Sequence, residues 1–115
     1  MNRLDQLRVD RMMHLGCVYC AHLGLVCIAQ ECHHIVEGNR RLGDWFTLPL
    51  CRGHHQGDWS RDQLEIIPAD KRVGIHSGSK ACEAVYPAQR ELWERVQACL
   101  HLSWPQSKIV PRRVA

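Results

Sequence analysis

Eight histidines and seven cysteines in 115 residues are the groups from which this chain could build chemistry. Cys17-Val18-Tyr19-Cys20 and Cys51-Arg52-Gly53-His54 each set two ligands three positions apart, a spacing that lets one tight turn chelate one ion. Together they offer Cys17, Cys20, Cys51 and His54, four soft ligands that would close a tetrahedral structural zinc site. The Cys-x-x-Cys pair could also be redox-active, but that reading normally goes with a βαβ context, which the pattern lacks. His33-His34, His55 and His76 remain as a second set. A single histidine often only fills a core position. Four that converge would make a divalent-cation or proton-transfer site, because an imidazole titrates near neutrality, at about 6.5. Isolated cysteines are commonly small buried hydrophobes, and Cys27, Cys32, Cys82 and Cys99 are read that way.

These groups must be held by short elements. Residues 2–14 suit a helix carrying Leu4, Leu7 and Met12, ended by Gly16. His33-His34-Ile35-Val36 is short and partly β-branched, and reads as a strand. Trp45-Phe46-Thr47-Leu48 reads as its return arm, across a turn-rich connector containing Gly38, Asn39, Gly43 and Asp44. The Cys51 knuckle follows, and a helix can open from His54 onward. Residues 58–62 suit a loop with a helical turn, and Ile66-Ile67-Pro68 a short edge segment. A helix over 79–86 stops before Pro87, which opens a second helix with Leu92, Val96, Cys99 and Leu100 on one face. Glu91, Glu94 and Arg95 are left for solvent. Residues 103–115, with Pro105, Pro111 and several basic side chains, read as a flexible basic tail.

Composition sets the bounds. A chain of 115 residues makes one small domain, and a bound metal would supply stability that a modest core lacks. An odd cysteine number excludes a fully paired disulfide framework within one chain. The charged start Asn2-Arg3-Leu4-Asp5 does not open a signal peptide, and no stretch is long and apolar enough for a membrane span. Reduced thiols in a cytoplasmic protein are the expectation. The net charge of +3 permits nucleic-acid binding without arguing for it. Its distribution says more: Arg40 and Arg41 lie in the connector, Arg52 in the knuckle, and Lys71, Arg72, Lys80, Arg112 and Arg113 beyond. Each could neutralise a phosphate, and each could equally be an ordinary solvated cation.

The ordered set of Cys17-x-x-Cys20, His33-His34-Ile35, Gly38, Thr47-x-Pro49-Leu50-Cys51-x-x-His54-His55 and Ile75-His76-x-Gly78 resembles HNH endonucleases. More narrowly it is similar to the phage recombination-enhancement (Ref-like) family of RecA-dependent nucleases, over about Leu15 to Leu102. The resemblance implies an α+β fold: a small ββα-metal (HNH) core with zinc knuckles and flanking helices. Residues 1–102 would form the nuclease domain and 103–115 the tail. It implies a metal-dependent DNA endonuclease linked to RecA-directed recombination, in a bacterial cytoplasm and encoded by a phage or prophage. DNA would be the substrate and a RecA filament a partner. His34 would be the general base. His33, His55 and His76 would hold the catalytic divalent ion, Mg²⁺ or Mn²⁺, and Cys17, Cys20, Cys51 and His54 the structural Zn²⁺. The expected products carry a 5′-phosphate and a 3′-hydroxyl. Phe46 stands roughly where the family's middle Asn falls, with Asn39 and Asp44 nearby, so the brace of His34 is open. A non-catalytic zinc module that binds nucleic acid or a protein is the alternative.

Overall fold

The computed structural model describes residues 1–103, without the side chains of the last two; the expected tail from 104 onward, with Arg112 and Arg113, lies outside them. Helix α1, Arg3–Met13, starts where the Asn2 side chain accepts the Asp5 amide at 2.8 Å. Its buried face is not the Leu4–Leu7 stripe: Leu7 is exposed, and Arg8, Val9 and Met12 point inward. The reason is Arg8. Its guanidinium donates to Thr47 Oγ1 at 2.7 Å and to Gln97 Oε1 at 2.8 Å, and lies 5.5 Å from the Trp45 ring. Burial lowers its pKa to about 10.

Gly16 closes this segment in a left-handed conformation (φ 87°), where a Cβ would sit 2.8 Å from the Cys27 carbonyl oxygen. That close approach lets the Cys17 amide donate to the same oxygen at 2.9 Å. Cys17 then caps α2, Val18–His22, so the first knuckle is a helix entry rather than a simple turn.

Strand β1 (Glu31–His34) is followed by the two-residue strands β2 (Val36–Glu37) and β3 (Arg40–Arg41), and then β4 (Thr47–Leu50). β1 and β4 pair antiparallel, with His33 opposite Leu48 and His34 opposite Thr47. Both strands sit two residues from the expected spans, in opposite directions. The connector is more than a loop. β2 and β3 form a small antiparallel hairpin whose turn residues Gly38 (φ 57°) and Asn39 (φ 65°) are both left-handed, as a primed turn needs.

The second knuckle leads into α3, Arg52–Gln56, ended by Gly57 at φ 81°. Helix α4 covers Arg61–Ile66, opened by a reciprocal Ser60–Gln63 capping box. This corrects the edge segment expected at Ile66-Ile67-Pro68: the capping box carries the helix through Ile66, and Pro68 begins a 3₁₀ turn at Ala69–Lys71. A second such turn at Ile75–Ser77 precedes α5, Ser79–Glu83, and α6, Gln89–Ser103. α5 ends three residues earlier than expected. On α6 Leu92, Trp93, Val96 and Leu100 are buried, but Cys99 faces outward. Cys82 is buried as expected, while Cys27 and Cys32 are half-buried.

The core joins Met12, Tyr19, Ile35, Leu48, Leu50, Ile67 and Leu92. The architecture is a small mixture of helices with two short antiparallel sheets. Among the described residues no helix is long and apolar enough to cross a membrane.

Candidate metal centre and histidine cluster

The N-terminus of α2, the end of β4 and the first turn of α3 bring Cys17, Cys20, Cys51 and His54 together. All four are buried, and their ligand atoms lie within 4.8 Å of one another. His54 Nδ1 is 3.6 Å from Cys17 Sγ and 3.4 Å from both Cys20 Sγ and Cys51 Sγ, and the last two sulfurs are 3.8 Å apart. Tetrahedral zinc with ordinary bond lengths would place sulfurs about 3.8 Å apart and sulfur about 3.6 Å from nitrogen. The donor set therefore fits zinc in both chemistry and spacing.

The surrounding groups suit the same ion. Tyr86 Oη donates to the Lys71 carbonyl at 2.6 Å, so at 2.9 Å it accepts from His54 Nε2–H. That fixes the tautomer whose Nδ1 carries a lone pair toward the cysteines. Gln63 Nε2 donates to Cys51 Sγ at 3.2 Å, and the His54 amide donates to the same sulfur at 3.4 Å. The Tyr19 ring stacks on His54 with centroids 5.3 Å apart, and Trp59 meets it edge-on at 4.9 Å. Hydrogen bonds from Cys17 and Cys20 hold the Cys51 thiol far below its ordinary pKa, while bonds to Cys17 and Cys51, together with burial, raise that of Cys20. The two N–H groups that donate to Cys51 Sγ favour negative charge on that sulfur. Among the described residues this is the one group of three or more His, Cys, Asp or Glu side chains close enough to share an ion.

The other histidines divide between two faces of β1, because successive side chains on a strand alternate. Glu31 and His33 share one face with α3. The His33 and His55 rings lie 5.2 Å apart, centroid to centroid, in an edge-on contact. His33 Nε2–H donates to Gln89 Oε1 at 3.1 Å, and burial holds its pKa below the usual histidine value. His55 Nδ1–H donates to Glu31 Oε1 at 2.6 Å, a bond that lowers the pKa of that carboxyl group. His34 takes the opposite face, where its Nε2–H donates to Asp44 Oδ1 at 3.0 Å. His76 lies on the 3₁₀ turn Ile75–Ser77, its ring 6.0 Å from that of Trp59 and close against Gly57. It does not join His33 and His55 in a three-residue ligand group. Phe46 stacks on Trp93 at 4.9 Å and lies half-buried against the core.

The family described as "Recombination enhancement, RecA-dependent nuclease" matches residues 4–101. The chain belongs to this family. The match takes in every histidine and cysteine described above. No curated protein matches the chain. The family's description implies nuclease activity in RecA-dependent recombination.

For a RecA-dependent nuclease, cations that can meet phosphate matter, and the structure sorts those the sequence singled out. Arg40, Arg41 and Lys80 are exposed. Arg52 is engaged by Asp58 at 2.8 Å, and Arg72 donates to the Ile67 carbonyl at 3.0 Å. The sequence reading did not anticipate the roles of Glu31, Gln63, Tyr86 and Gln89. Gln63 had a visible trace in the Ser60-x-x-Gln63 capping pattern, and Glu31 in its i−2 relation to His33 on one strand face. Tyr86 and Gln89 had none.

Proposed function

We propose that this member of the RecA-dependent nuclease family is a metal-dependent DNA endonuclease of the ββα-metal (HNH) type. The observation that supports it is the pairing of His33 on β1 with His55 on α3, at 5.2 Å; His34, across the strand from this pair, gives its Nε2–H to Asp44. In this reading His34 is the general base. Asp44 accepts its Nε2–H, so Nδ1 keeps the lone pair that takes a proton from water. Asp44 thereby does the bracing for which Phe46 is unsuited. His33 and His55 hold a divalent cation. His76, whose ring rests against Trp59 and Gly57 and outside their reach, is the proposed third ligand and would have to swing toward His55 to serve. When bound, the cation supplies Lewis-acid stabilisation of charge on the phosphate and the leaving 3′ oxygen. Burial of His33 keeps its imidazole neutral and available as a ligand. Cys17, Cys20, Cys51 and His54 hold zinc and fix the helix that carries His55.

The deciding experiment is cleavage of plasmid and single-stranded DNA with Mg²⁺, Mn²⁺ or EDTA, with and without a RecA filament. His34→Ala should keep the zinc and lose about 10²–10⁴ in rate. Excess Mn²⁺ should rescue His55→Ala in part and leave His34→Ala unrescued. A protein that holds one zinc and cuts nothing under any of these conditions would be a zinc-binding module instead. Wild-type cleavage by both variants would remove these histidines from the mechanism.

A further inference from the structure

Glu31 stands outside every metal-ligand motif of this chain, yet it makes the shortest contact in the histidine cluster. Its Oε1 accepts from His55 Nδ1–H at 2.6 Å, and Gln56 Nε2 donates to both carboxylate oxygens, at 2.7 and 2.6 Å. The carboxylate is therefore held on one side by the residue after His55 and presents its charge to the imidazole on the other. We infer that Glu31 is a positioning residue, which fixes the His55 tautomer and ring orientation for binding a divalent cation.

A neutral imidazole carries one N–H and one lone pair. A carboxylate can only accept, so it selects the tautomer with hydrogen on Nδ1 and leaves Nε2 as the ligand atom. Negative charge beside the imidazole also raises its basicity as a ligand. Glu31 lies on β1 and His55 on α3, so the same bond locks helix to strand at the point where His33 and His55 face each other. Glu31 need not touch the substrate.

The inference rests on the proposed reading of His55 as a cation ligand, and the test separates the two. Zinc-loaded full-length wild type is compared with Glu31→Ala, Glu31→Asp and Glu31→Gln. Three quantities are measured: structural zinc content, the Mn²⁺ concentration giving half-maximal cleavage, and the His55 tautomer from ¹⁵N NMR, with broadening of that resonance by added Mn²⁺. The expected result is one zinc per chain throughout. Half-maximal Mn²⁺ should rise about 10–100-fold in Glu31→Ala, with the rate at saturating Mn²⁺ held within about threefold. Glu31→Asp should recover part of the shift. Wild-type His55 should be protonated on Nδ1, and Glu31→Ala should mix the two tautomers. Glu31→Gln keeps the size of the side chain and covers the case in which Ala disturbs folding. Its amide donates as readily as it accepts, so the Nδ1–H preference should fall there too. An unchanged tautomer together with an unchanged Mn²⁺ requirement would overturn the inference. So would a fall in the saturated rate at a constant Mn²⁺ requirement. If the wild type cuts no DNA, the nuclease reading fails, and the tautomer and Mn²⁺ broadening still decide the role of Glu31.

Discussion

Removing one oxygen atom, in Tyr86→Phe, tests the zinc site without touching a ligand. The phenol is buried and makes two hydrogen bonds, accepting from His54 Nε2–H at 2.9 Å and donating to the Lys71 carbonyl at 2.6 Å. Phenylalanine keeps the ring, and with it the edge-on contacts to Tyr19 at 4.9 Å and His54 at 5.3 Å. The substitution thus isolates the hydroxyl. A buried polar group left without a partner costs about 1–3 kcal/mol, and two are orphaned here. Loss of the bond that orients a ligating imidazole costs about 10–100-fold in metal affinity. That corresponds to about 1.4–2.7 kcal/mol. Zinc should still bind at one per chain, but a chromophoric chelator should strip it at concentrations lower by that same factor. Thermal unfolding of the zinc-loaded variant should begin several degrees earlier. A chelator competition curve that overlays the wild type would refute the assignment of His54 Nδ1 as a zinc ligand fixed through Tyr86.

Other outcomes follow from the same geometry. Cys51→Ser should lose zinc and most of the folded state together, since structural zinc is worth on the order of 10 kcal/mol, comparable to a small domain's whole stability; metal analysis and circular dichroism check this. Burial lowers the His33 pKa, so the folded state holds His33 neutral at pH values where the unfolded chain protonates it. Stability should therefore be lost as pH falls below about 6.5, and His33→Gln should flatten that part of the wild-type curve in denaturant titrations. Arg40 and Arg41 are exposed on β3, and replacing both should make log affinity for duplex DNA fall less steeply with log salt, by about 0.9 for each phosphate that the pair neutralises in the wild type.

What the sequence disclosed and what it withheld divide along the range of the interactions. A chelating turn is local, so the spacings of Cys17 with Cys20 and Cys51 with His54 could be read before any fold was known. The types of α1, β1, β4, α5 and α6 were legible for the same reason, whereas Ile66 was read as an edge segment and the β2–β3 hairpin as a loop. The partners that orient the imidazoles lie far along the chain: 24 residues separate Glu31 from His55, 32 separate His54 from Tyr86, and 56 separate His33 from Gln89. No local pattern marks such pairs. Arg8 misled the reading of α1 because propensity and hydropathy place arginine outside, whereas here two aromatic faces and the acceptors Thr47 and Gln97 receive it. The alternation of β1 was available in principle, but its consequence for His33 and His34 depended on which face α3 would cover.

Helix α3 is five residues long and carries His54 and His55 side by side. A helix that short has no standing of its own in water. Zinc bound at His54 would then help, with the Glu31 bond, to give His55 a fixed place, and the two roles would become sequential in the life of the chain. A newly made molecule would emerge without a working centre and acquire one only on capturing zinc. For a nuclease, such an order of events would act as a safety catch. Metal-starved copies would be inert, and the pool of competent protein would track the zinc the cell can spare.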